Sequence, residues 1–176
     1  MILETSRLIL RPFQESDAES LYRYAKDPRV GPNAGWLAHT SVEDSRQTIQ
    51  KILSAEGTYA VIPKEQNEAV GSIGLITGEK RGLAVAEAEI GYWIGVPYWG
   101  KGLIPEAMRE LMRYAFEDLG MNTLWCQCYD ENDKSKRVME KCGFRYHHME
   151  EKEAPLLGVI KTMHVTHITR AEWKAQ

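Results

Sequence analysis

Gly100-Lys101-Gly102 stands where a strand-like run, 89–96, gives way to a long amphipathic segment. Two glycines at such a turn let the backbone come close to a ligand. The first turn of the following helix adds unpaired N–H groups at the positive end of its dipole. The chemistry this supports is anion binding, above all of phosphate or pyrophosphate. The spacing is neither that of a Walker loop nor Gly-x-Gly-x-x-Gly, and by itself it also suits a plain tight turn. Other reactive side chains are less well placed. His147 and His148 are adjacent and His164 and His167 are three apart, so the members of each pair face opposite sides of a strand, and no metal is expected. Cys126, Cys128 and Cys142 show no Cys-x-x-Cys spacing and read as buried thiols of a reducing compartment, with no base partner for a nucleophilic role.

The elements that must position these groups follow from periodicity and punctuation. Leu8-Ile9-Leu10 reads as a strand ending at Pro12. Ser16-Asp17-Ala18-Glu19 has capping-box spacing and opens a helix to about Lys26, stopped by Pro28. Residues 29–40 read as an irregular loop, and Ser41 starts a second helix that ends near Gly57. Residues 58–63 and 69–77 form a hairpin, and a loop at 78–83 leads to the strand before the glycines. Ile104, Met108, Leu111, Met112, Ala115 and Leu119 recur at helical steps, with Gly120 as the stop. Leu124, Cys126 and Cys128 alternate on a strand, and Asn132 or Asp133 caps a short helix that Gly143 ends. Two strands, 144–149 and 157–168, close the chain. The sum is a mixed α/β (α+β) chain with about four helices, a largely antiparallel sheet and one strand-helix-strand unit.

Composition limits the function classes. With 176 residues, 43% of them hydrophobic, the chain suits a single domain over 1–176. Its 22 basic and 25 acidic residues leave a net charge of -3 and form no basic block, which argues against nucleic acid as a partner. No apolar run is long enough for a membrane span, and the opening residues lack a signal peptide's apolar region, so a cytoplasmic protein is expected.

The glycine turn, Asn132-x-x-Ser135 and Gly143-Phe144, in this order and spacing, resemble the GNAT superfamily of N-acetyltransferases. Thr5-x-Arg7-Leu8-x-Leu10-Arg11, the run from Glu89 to Ile94 and Ile168-Thr169-x-x-Glu172-Trp173 resemble its ribosomal-protein N-terminal (Rim-like) branch. The resemblance covers essentially the whole chain. It implies a sheet splayed in the middle and acetyl transfer from acetyl-CoA to an amine within a ternary complex.

The same resemblance implies residue roles. Pyrophosphate would sit on the amides of Gly100, Lys101, Gly102, Leu103 and Ile104, with Lys101 adding a cation at the rim. The pantetheine arm would pair like an extra strand with Ile94, Gly95 and Val96, Asn132 would contact the pantetheine or acetyl end, and Lys136 would reach the nucleotide phosphates. Two positions depart from the family pattern. Pro97 replaces a common Gln or Arg, and Met139 stands where many members carry an acidic Tyr. Ser135 is therefore the expected donor to the leaving sulfur, and Glu89 the expected general base, directly or through water, with Glu87 as fallback. The acceptor would lie under the loop 31–36, against Asn33 and Trp36, although Trp36 equally suits packing on the second helix. A protein N-terminal α-amine is the leading acceptor, ahead of a polyamine, amino acid or aminoglycoside. A non-catalytic acyl-CoA-binding protein is the contrasting class, and family habit implies a homodimer.

Overall fold

In the computed structural model, which describes residues 1–78 and 82–176, one eight-stranded sheet runs β1-β2-β3-β4-β5-β6-β8-β7. Its strands are β1 (Leu3–Glu4), β2 (Leu8–Arg11), β3 (Thr58–Pro63), β4 (Gly71–Thr77), β5 (Glu87–Ile94), β6 (Thr123–Tyr129), β7 (Arg145–Ala154) and β8 (Val159–Thr169). Every neighbouring pair is antiparallel except β5 and β6, which are parallel. Between those two the chain passes through α4 (Leu103–Arg113), as a parallel pair requires. The expected loop at 78–83 lies in part outside the described residues.

Strand alternation divides the apolar side chains between two layers. On one face Leu8, Leu10, Val61, Ile73, Ile90, Leu124, Cys126 and Ile168 pack beneath α4 and Met139 of α5 (Asp133–Lys141). On the other, Ile9, Ala60, Ile62 and Trp93 meet α1 (Ala18–Ala25) and the segment after α3 (Val42–Thr48). Six α-helices stand among the described residues, against about four expected. The two additions are short. Within the expected irregular loop, α2 (Gly31–Ala34) forms because Pro32 lies in its first turn and a left-handed Gly35 closes it. The last helix, α6 (Arg170–Lys174), opens with a capping box between Thr169 and Glu172. The start of α1 also moves: a 3-10 turn at Glu15–Asp17 precedes it, and Asp17 accepts the Gln14 N–H at 2.8 Å, so Ser16 is not the cap.

The position of the site follows from an interruption in the sheet. Pairing between β5 and β6 covers Glu87–Ile90 against Thr123–Cys126 and then stops. Each strand continues, β5 to Ile94 against β4 and β6 to Tyr129 against β8. Because the Gly95 N–H donates to Val70 on the β4 side, strand alternation turns the backbone groups of Tyr92 and Ile94 to the gap. Beyond Ile90 and Cys126 the sheet is splayed, and these backbone groups of β5 face no neighbouring strand.

Candidate active site

The glycine turn lies at the end of the splay. After β5 the chain makes a 3-10 turn, Val96–Tyr98, and then passes through Gly100 and Gly102, both at φ +74°. This left-handed conformation suits glycine, and Gly102 is the N-cap of α4. No heavy atom lies within 4 Å of where a Cβ on Gly100 would stand, so the loop presents bare backbone to open space. Pro105 has no N–H, which leaves the amides of Leu103 and Ile104 as the donors of the first helical turn. The residues present therefore fit a pyrophosphate. Lys101 stands over the Tyr98 ring at 5.2 Å and Lys134 over the Trp99 ring at 3.8 Å, which puts two cations beside the turn.

The edge of β5 that faces the splay is partly engaged. The Trp99 indole donates to the Ile94 carbonyl at 2.9 Å, and the Gly95 and Val96 carbonyls accept from Tyr98 and Trp99 N–H. Of the strand residues beside the expected pantetheine path, Tyr92 and Ile94 are those turned to it. Across the gap, Asn132 caps α5 by accepting the Ser135 N–H at 3.1 Å. The Tyr92 hydroxyl donates to the Ser135 carbonyl at 3.3 Å, and burial pushes that hydroxyl well above its ordinary pKa, so it stays protonated. Ser135 itself is half-buried at the mouth of the gap. Met139, one turn further along α5, is only 1% exposed, and its sulfur accepts from the Thr166 hydroxyl at 3.3 Å in the core. The thiols offer no nucleophile. Burial raises Cys126, brings Cys128 up to about 12 and Cys142 to about 11.

The opposite face of the splay carries Glu89, Gln127 and Trp93. Glu89 sits in the second-to-last paired position of β5, opposite Trp125. Its Oε1 accepts from Gln127 Nε2 at 2.9 Å, while Gln127 Oε1 accepts from Lys152 Nζ at 3.0 Å. Glu87, the fallback base, accepts the Ala84 N–H at 3.3 Å. The α2 loop crosses the mouth on this face. Trp36 meets Trp93 edge-on at 5.4 Å between ring centres and His39 at 5.2 Å. At the loop's other end, a Cβ on Gly35 would stand 3.1 Å from the Tyr129 hydroxyl, so the loop spans from β5 to β6.

Two expected ligands are engaged elsewhere. Lys136, expected at the nucleotide phosphates, pairs with Asp130 at 2.6 Å, and that hydrogen bond raises its pKa. Asn33, expected at the acceptor, donates its amide to the Arg29 carbonyl at 2.8 Å as part of its own turn. In their places stand residues that sequence reading did not assign to the site: Lys134 beside the turn, Tyr92 at the splay and Gln127 against Glu89. Strand alternation puts Tyr92 on the cofactor side, but only the termination of β5–β6 pairing opens a gap for it. Among the described residues, no group of His, Cys, Asp or Glu is placed to hold a metal, and no helix is long and apolar enough to cross a membrane.

The sheet is parted between two parallel strands, with a glycine turn that fits an anion on one face and a carboxylate on the other. The acetyltransferase (GNAT) domain matches residues 7–145, and the chain belongs to that family. It is 34% identical over 149 residues to the uncharacterized N-acetyltransferase p20 of Bacillus licheniformis, covering 81% of this chain and 82% of that one. It is 29% identical over 149 residues to the ribosomal-protein-serine acetyltransferase of Escherichia coli (strain K12), covering 78% of each chain. Among solved structures, a GNAT-family acetyltransferase from Bacillus anthracis superposes with a TM-score of 0.85 at 26% identity, covering 97% of this chain and 99% of that one. This chain is an acetyl-CoA-dependent N-acetyltransferase.

Proposed function

We propose that the acceptor is a protein N-terminal α-amine, acetylated by direct transfer within a ternary complex in the cytoplasm. The observation that supports the direct route is the parted sheet, with the Ser135 carbonyl against Tyr92 on one face and Glu89 against Gln127 on the other. Acetyl-CoA supplies the acetyl group as a thioester, with its pyrophosphate on the amides of Gly100 to Ile104 and its pantetheine beside Tyr92 and Ile94. Glu89 takes the proton of the attacking amine, directly or through water, and Gln127 keeps its carboxylate aimed into the opening. The Ser135 hydroxyl donates to the sulfur as the carbon–sulfur bond breaks. The raised thiol pKa values favour this route over an acetyl-enzyme. The protein acceptor draws support from the similarity to a ribosomal-protein-serine acetyltransferase and from an acceptor face framed by a loop and a hairpin.

Thermal unfolding tests the cofactor half. At a hundred times its dissociation constant, acetyl-CoA adds ~2.7 kcal/mol and raises Tm by roughly 5–10 °C, as does desulfo-CoA, while NAD does nothing. An acceptor panel then compares peptides with free N-termini against polyamines, amino acids and aminoglycosides. Faster turnover of a small amine than of every peptide would overturn the protein acceptor.

A further inference from the structure

The opening motif, Thr5-x-Arg7, has no part in the chemistry above, yet it lies directly against the turn that does. Glu106, in the first turn of α4, accepts from Thr5 Oγ1 at 2.5 Å, Ser6 Oγ at 3.1 Å, the Arg7 N–H at 3.0 Å and Arg7 Nε at 2.6 Å. Of the same guanidinium, Nη1 donates to the Lys101 carbonyl at 3.1 Å, and Nη2, itself 2.6 Å from Glu106, to that of Gly102 at 3.4 Å. In a trans peptide the C=O of one residue points opposite to the N–H of the next. Holding those two carbonyls on the Arg7 side therefore turns the N–H groups of Gly102 and Leu103 the other way.

We propose that Thr5, Ser6, Arg7 and Glu106 form a latch that fixes the peptide planes on which pyrophosphate binds, with Arg7 as the positioning residue. This rests on the reading of the turn as the pyrophosphate site. The latch has a physical purpose. Left-handed glycines at 100 and 102 give the backbone freedom that a binding site for a fixed ligand must lose. The other end of the turn is already held, since Tyr98 is buried and its hydroxyl meets that of Tyr24 at 3.1 Å. Arg7 secures the end where the amides are. Its charge also offsets that of Glu106, which otherwise stands close to an incoming phosphate.

Calorimetric titration with coenzyme A and with pantetheine, which lacks the pyrophosphate, separates positioning from folding. Arg7→Met weakens coenzyme A roughly 10- to 100-fold and leaves pantetheine within about twofold. Glu106→Gln acts in the same direction. Arg7→Lys keeps the charge but not the fork, so it restores only part of the loss and tests the latch even where Arg7→Met unfolds. Equal losses for both ligands, or no loss for coenzyme A, would overturn the latch. Wild type binding the two ligands alike would instead overturn the pyrophosphate reading on which the latch rests.

Discussion

On the α4 side of the splay, the groups that line the proposed cofactor site are backbone amides, and most of the surrounding side chains serve to hold that backbone. Trp99 holds the Ile94 carbonyl, Arg7 holds those of Lys101 and Gly102, and Tyr98 is anchored to Tyr24. On the other side the facing groups are side chains: Glu89 steadied by Gln127, and Trp36 just after a short helix that crosses the gap. The difference follows what each side must recognise. One ligand never changes, so a fixed set of amides serves it, and their own side chains are free to vary. The acceptor differs from enzyme to enzyme, and loops on a rigid sheet can change with it. The cofactor side also carries a pH-dependent stabilisation. Burial opposes ionisation of Glu106, but donors from Thr5, Arg7 and Ser6 outweigh it and hold its carboxyl at about 2. With a folded pKa below the unfolded one, that stabilisation is present above pH ~4.5 and fades as pH falls toward ~2.

If the two sides are separate in function, a change on the acceptor side should alter rate without altering cofactor affinity. Glu89→Gln carries the largest expected effect. It keeps the size of the side chain and removes the base, so kcat falls roughly 10²- to 10⁴-fold while the Kd for acetyl-CoA stays the same. A loss below threefold would exclude Glu89 as the base. A parallel loss of acetyl-CoA affinity would join the two sides that the structure separates.

Met139 sharpens the comparison from within the cofactor side. A Tyr here would have to fit a core site that is 1% exposed, beside the Thr166 hydroxyl. Met139→Tyr therefore loses about 1–3 kcal/mol in urea unfolding, through overpacking. It also restores no turnover to Ser135→Ala, because the side chain at 139 is held against Thr166 in the core. Recovery of activity in that double variant would return the acid role to position 139.

The sequence exposes these two sides unequally. The turn and helices of the α4 side are legible because their signals are local: a glycine pair between two periodicities, an apolar stripe at helical steps, and an Asn cap three residues before Ser135. The strand-helix-strand unit follows from the same signals. What escapes is set by partners distant in sequence. Lys136 meets Asp130, six positions earlier, only once β6 and α5 are folded, and Lys134 finds Trp99 across 35 positions. Thr169-x-x-Glu172 has the spacing of a capping box, so α6 is detectable in principle. The length of β7 is not, since Glu150, Glu151, Lys152 and Glu153 read as loop but suit a charged edge strand. The α2 loop is the extreme case, because its position depends on Trp93 and Tyr129, which belong to two strands that do not pair where it crosses them.

Trp36 tests that crossing with the smallest effect. Its ring lies between Trp93 and His39, so it packs the loop and, in the proposed site, walls the acceptor face. An edge-to-face aromatic pair contributes about 0.5–1.5 kcal/mol beyond the area it buries. Trp36→Ala therefore raises the acceptor KM roughly 3- to 10-fold and leaves acetyl-CoA affinity unchanged. Trp36→Phe, which keeps an aromatic edge toward Trp93, recovers most of that loss. If both variants weaken acetyl-CoA as much as the acceptor, the loop supports the whole splay. If only the acceptor KM moves, the loop belongs to the acceptor side alone, and exchanging residues 31–36 becomes the direct way to change which amine is acetylated.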